Sequence, residues 1–144
     1  MVIVTRKINV DTNAAREEHY VAVINITPKI QEHLEQVYLA NGTVTVFLPG
    51  TTAAVTTIEC EQGLISDFQR AWERLVPRDI PYKHRFMWEE NNAFAHVRAA
   101  LLGPSVVVPV VEKRLVLGQF QRVVIVEFDN RARTRQVVLQ FMGE

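Results

Sequence analysis

The forty residues at positions 105–144, SVVVPVVEKRLVLGQFQRVVIVEFDNRARTRQVVLQFMGE, decide the class of fold. Apolar, mostly β-branched runs at 106–111, 115–117, 123–128 and 136–142 read as strands, with Asp129-Asn130 as the turn between the last two. Two of the runs, VVVPVV and VVIVEF, do not alternate apolar with polar residues. A strand without alternation is expected to be covered on both faces, and in so small a protein one cover can be a second subunit. A homo-oligomer is therefore expected.

Working outward, residues 2–10 (VIVTRKINV) alternate and residues 20–26 are apolar and β-branched, so the chain opens with two strands, expected as neighbours or a hairpin. Thr27-Pro28 marks a helix start, Ile30, Leu34, Val37 and Tyr38 recur at helical spacing, and Asn41-Gly42 ends the segment. Residues 44–48 and 54–59 read as strands around the turn Pro49-Gly50-Thr51-Thr52, where Gly50 is free to take positive φ. Leu64, Ile65, Phe68, Trp72 and Leu75 share one face of a second helix that Pro77 stops. After a connection over 82–90, Asn92 caps a third helix bearing His96, Arg98 and Leu101, which Gly103-Pro104 ends.

The order β-β-α-β-β-α-α followed by four strands favours an α+β fold over a doubly wound parallel sheet, because helices do not follow every strand. A mixed or antiparallel, sandwich-like arrangement with about three helices is expected, as one domain over 1–144. A chain of 144 residues buries roughly 70% of its unfolded surface and needs no disulfide or structural metal.

Sixteen basic residues balance sixteen acidic ones, which argues against nucleic acid and acidic membranes as partners. Cys60 has no second cysteine to pair with, no run approaches the ~20 apolar residues of a membrane span, and the N-terminal run lacks a leader's layout. A cytoplasmic location is expected.

Chemistry concentrates in His84, Glu89, Glu90, Asn91, Asn92 and His96. Two imidazoles with the Glu90 carboxylate could hold zinc or a similar divalent ion and leave a position open. Their spacing matches no short metal motif, which favours reading them as a loop histidine hydrogen-bonded to backbone and a half-buried helix histidine. Glu59 could act as a general base, with His84 and His96, or be merely solvated at its strand end. Cys60 is expected as a small buried apolar group. Thr51, Thr52, Ser105, Arg98 and the amides near Gly50 form a candidate anion set. Arg131, Arg133 and Arg135 alternate and are expected on an exposed polar face, paired with Glu17 or Glu18. Trp72 and Trp88 are expected in the core.

Three blocks carry a resemblance: LPGTTAAVTTIE (48–59), YKHRFMWEENNAFAHVRAALLGPS (82–105) and LVLGQFQRVVIVEFDNRARTRQVVLQFMGE (115–144). Together they resemble the YjbQ-like family of small α+β homotrimers, some described as having a secondary thiamine-phosphate synthase activity. The resemblance implies His84 and His96 as site histidines, and Asn92 and Gln121 among the ligand-contacting residues. It also shows departures. The family's usual His stands at Gly50, a further one at Phe94, and Glu90 replaces a common Asp. Of a closing signature similar to Gly-x4-Gly-Thr-Trp-Gln, this chain keeps Gly118 and Gln121 but has Lys113, Gln119 and Phe120.

The expectation is a YjbQ-like protein with weak thiamine-phosphate synthase-like activity on phosphorylated small molecules, His84, Glu59 and His96 being its catalytic groups. The alternative is a non-catalytic homotrimer that binds a small anionic ligand or a protein partner, its metal site degenerate.

Overall fold

The computed structural model describes residues 1–84 and 91–144. Among them the chain runs β1 (Val2–Thr12), two 3-10 turns (Ala14–Arg16 and Glu18–Tyr20), β2 (Ala22–Asn25), α1 (Thr27–Gln36), β3 (Gly42–Phe47), β4 (Ala53–Glu59), α2 (Gln62–Leu75), α3 (Ala93–Leu102), β5 (Ser105–Val111), β6 (Arg114–Leu115), β7 (Gln121–Glu127) and β8 (Arg133–Gly143). The fold is α+β, and every strand pairing is antiparallel. One sheet has the order β1-β8-β3-β5-β6, the other β2-β7-β4.

The run VVIV in β7 explains how these layers stack. Val123 and Ile125 enter a core shared with α1 and the inner face of the five-stranded sheet, while Val124 and Val126 enter a second core with Trp72, Phe94, Ala95 and Ala99 from α2 and α3. The three-stranded sheet is thus the middle layer, apolar on both faces, and the absence of alternation in β7 is its signature.

The other unalternating run behaves differently. In β5, Val108 and Val110 are buried but Val107 and Val111 are exposed. The outer face of the five-stranded sheet is thereby open within one chain, with Ile3, Met142, Thr43 and Pro109 in one cross-strand row and Phe47 and Val107 on the same side.

Two neighbour expectations are corrected. β1 pairs with β8 and β2 with β7, so the opening strands lie in different sheets, as do β3 and β4. The turn at 49–52 and the 129–132 connection between β7 and β8 both pass from one sheet to the other, and they meet through Thr52 and Asp129.

Local chemistry sets the helix ends. Pro28 opens α1, but the Thr27 hydroxyl pins β7, donating to the Val123 carbonyl and accepting from its amide. Ile30, Leu34 and Val37 are buried while Tyr38 is 94% exposed, and in α2 Trp72 is buried while Leu75 is exposed. Trp72 meets Phe68 and Phe128 edge to face, as a core residue should. Trp88 lies outside the described residues. Among those described, no helix is long and apolar enough to cross a membrane.

Candidate functional site

Where the two sheets are joined by the chain, four charged side chains form a sealed network. Arg135 clamps Glu127 with two bonds, Nε to Oε1 at 2.8 Å and Nη2 to Oε2 at 2.6 Å, and Arg133 donates Nε and Nη2 to Asp129 Oδ2 at 3.0 and 2.7 Å. Both carboxylates are fully buried. Thr12 donates its hydroxyl to Glu127, and Thr52 bridges the two pairs, donating to Asp129 Oδ2 at 2.9 Å while accepting from Arg135 Nη2 at 2.7 Å. Burial alone would raise the Asp129 carboxyl, but hydrogen bonds from Arg133, Thr52 and the Asn130 amide outweigh it and hold its pKa below the usual value. Two charges of each sign leave the network neutral.

This arrangement revises several expectations. Arg133 and Arg135 do not line an exposed face, nor do they pair with Glu17 or Glu18; they neutralise Asp129 and Glu127. Thr52 is buried, and its hydroxyl is committed inside the network. Asn92 stands at the α3 N-cap position without a capping bond from its side chain, whose Nδ2 turns instead to Asp129 Oδ1 at 3.3 Å.

Arg98 is also corrected as an anion ligand. It is fully buried, and its guanidinium donates to the carbonyls of Val76, His19 and Tyr20 and to Glu73 Oε2. Those bonds engage all five N–H groups, so none remains for a ligand. Its partners include the carbonyls of His19 and Tyr20, both at positive φ, which shows what the residue does: it holds a left-handed segment and the end of α2 against α3.

The register of β4 separates the remaining candidates. Ala53 pairs with Glu127 at the network end, and Glu59 with Gln121 at the other, six residues on. At ~3.3 Å per residue those ends are about 20 Å apart. Glu59 and Cys60 are both exposed there, so Cys60 is not the buried apolar group expected. Desolvation pushes its thiol up, against the opposing pull of Arg122. Gln121 braces its own loop, donating to Thr57 and accepting from the Gly118 amide. Thr51 is exposed on the 49–52 turn, and exposed Ser105 opens β5 opposite Phe47.

His84 and His96 do come together. Their rings meet at 4.6 Å between centroids and 60° between planes, His84 exposed and His96 partly buried one turn into α3. Beside them a cleft of about 940 Å³ is bounded by Tyr20, Arg78, Tyr82, His84, Asn91 and Asn130 and by Asp79. Arg78 stacks over Tyr20 at 4.5 Å and donates to Glu73, which also accepts from Arg98. Among the described lining residues, Asp79 opposes the charge of Arg78. Among the described residues no three His, Cys, Asp or Glu side chains gather as a metal would require. Glu89 and Glu90, the carboxylates expected to join the histidines, lie outside the described residues.

The network escaped the sequence reading, although a signal was present. Arg133 and Arg135 are two apart on β8 and so face one way, and two acidic residues, Glu127 and Asp129, stand at the same spacing where β7 ends.

The family model described as UPF0047 protein YjbQ-like matches residues 7–144. The chain belongs to the YjbQ-like UPF0047 family. A UPF0047 protein of Archaeoglobus fulgidus is 42% identical over 120 residues, 83% of this chain and 90% of that one. Another, from Methanothermobacter thermautotrophicus, is 35% identical over 90% of this chain and 88% of its own length. Among solved structures, a YbjQ-like protein of unknown function from Sulfolobus solfataricus superposes with a TM-score of 0.87 at 27% identity, covering 99% of this chain and all of that one. A hypothetical protein from Aeropyrum pernix superposes at 0.85 with 37% identity, over 98% of this chain and 99% of that one. The α+β fold of the family is therefore the fold of this chain.

Proposed function

We propose that this YjbQ-like protein binds a small anionic molecule, such as a phosphorylated metabolite, in the cleft beside α3, with His84 and His96 as the recognising pair. The observation that carries the reading is the 4.6 Å contact of His96 with His84, which lines the cleft. Two positive charges this close repel each other, and an anion bound beside the pair would offset that penalty. Asn91 and Asn130 add neutral polar groups on the same wall. Binding without chemistry is the better reading. A thiamine-phosphate synthase-like transfer that used Glu59 together with the histidines would need it beside them, and Glu59 sits at the far end of β4 from the network that anchors α3.

The working unit in this proposal is a homotrimer. The exposed outer face of the five-stranded sheet, with Ile3, Phe47, Val107 and Met142, gives copies of the chain an apolar surface to share.

Zinc separates the anion clamp from a metal centre of the same histidines. Calorimetric titration of metal-stripped protein is expected to show no tight site. Tight binding of one zinc per chain, lost in the double variant His84→Ala, His96→Ala, would instead make the pair metal ligands.

A further inference from the structure

β1 is paired along one side only. It stands at one end of the order β1-β8-β3-β5-β6, and its eleven residues meet β8 in unbroken register, from Val2 opposite Gly143 to Thr12 opposite Arg133. Among the described residues no backbone bond outside that ladder reaches the strand, so its far side is a row of amides and carbonyls open to another strand. Proteins blunt such an edge with shortness, proline, a bulge or charge. At the opposite end of the sheet β6 is only two residues long. β1 has neither proline nor bulge, and it carries a pattern of charge instead.

Ile3, Thr5, Lys7, Asn9 and Asp11 stand exposed on the outer face of the strand, while Ile8, Val10 and Thr12 are buried on the other. Lys7 lies beside Val138 and Asp11 beside Thr134, whose hydroxyl donates to Asp11 Oδ1. Among the described residues neither charge has an ionic partner. Opposite residues of two antiparallel strands share a face, so a second copy of β1 is a partner whose side chains can be placed. With a two-fold axis through Asn9, Lys7 of each copy stands opposite Asp11 of the other, and Ile8 opposite Val10. An axis through Ile8 sets Lys7 against Asn9, and one through Lys7 sets two ammonium groups against each other, which is destabilising. The register about Asn9 therefore pairs both charges, and the surface that satisfies this edge is its own copy.

We propose that the free edge of β1 pairs with β1 of a second copy, antiparallel about Asn9, so that two five-stranded sheets run on as one. The contact goes beyond the trimer-forming face, whose Ile3 lies near the other end of the strand opposite Met142. Exposed ion pairs stabilise little and are screened by salt, so the contact forms at low salt as protein concentration rises, above the dilute range in which the mass of the trimer is read.

Sedimentation velocity of the full-length protein over rising concentration at low salt tests it. A reversible doubling of mass is expected, from three chains to six, and in Val107→Glu from one chain to two, which separates this contact from the trimer. Lys7→Glu sets a carboxylate against Asp11, and Asp11→Lys sets an ammonium against Lys7; both positions are exposed, so the fold tolerates the changes. Each single variant should weaken the doubling about tenfold or more, and the double variant Lys7→Glu, Asp11→Lys, which restores both pairs in reverse, should recover most of it. Absence of doubling at every concentration, doubling that is indifferent to the single reversals, or a double variant no stronger than the singles would each overturn the proposal.

Discussion

Asp129 shows at the scale of one residue how the sealed network is maintained. Its carboxylate accepts from Thr52, Arg133, Asn92 and the Asn130 amide, so the charged form is the one the fold binds best. A pKa lowered in the folded state means stabilisation that is full above the unfolded value near 4 and is lost as the pH falls through the folded value. Asp129→Asn removes that charge and leaves Arg133 without its counter-ion, a loss expected at about 3 kcal/mol near neutral pH. The gap between wild type and variant, read from urea unfolding at steps between pH 6 and pH 3, should shrink below pH 4. A gap constant with pH would mean that Asp129 does not depend on its charge. Little of this was legible beforehand. Alternation showed that the arginines share a side, but only the meeting of two sheets at the 129–132 connection puts Asp129 and Glu127 on that same side. Arg98 misled for a similar reason: a cation on a helix beside histidines looks like a ligand donor until its fully buried guanidinium is seen to close on Val76, His19 and Glu73.

Among the elements, α1 has an end that the sequence does not announce. Its last carbonyls are met by Lys113, whose ammonium donates to Leu34, Glu35 and Val37 from across the β5–β6 connection. Lys113 sits at φ 63, a left-handed conformation in which a side chain costs about 1 kcal/mol relative to glycine. Cap and strain therefore oppose each other. Lys113→Ala loses the cap and keeps the strain, with an expected loss of about 1 kcal/mol in urea unfolding, while Lys113→Gly should recover most of it. An alanine variant as stable as wild type would show the cap to be idle. The strands tell the same story of partial legibility. β7 was readable because both of its faces are apolar and both are covered. β5 carries an equally apolar run, but periodicity cannot separate a face buried within the chain from one left for another copy.

For the whole molecule, the order of elements was sufficient to fix α+β, since it depends on local patterns alone. Sheet membership was not, because each opening strand finds its partner about a hundred residues away or more. The open face of the five-stranded sheet is a consequence of that topology. Ile3, Val107 and Met142 stand in adjacent rows with Phe47, and a second copy offers each of them an apolar neighbour. Light scattering should give a mass about three times the 16.5 kDa chain, and Val107→Glu should shift it toward the single chain. A wild-type protein that scatters as one chain would leave this face to some other partner.

The central claim is that His84 and His96 form an anion clamp, and calorimetry with inorganic pyrophosphate tests it most directly. Wild-type protein should bind about one pyrophosphate per chain in the cleft. That component should vanish in the His84→Ala, His96→Ala variant. Binding of equal strength in the variant would contradict the account.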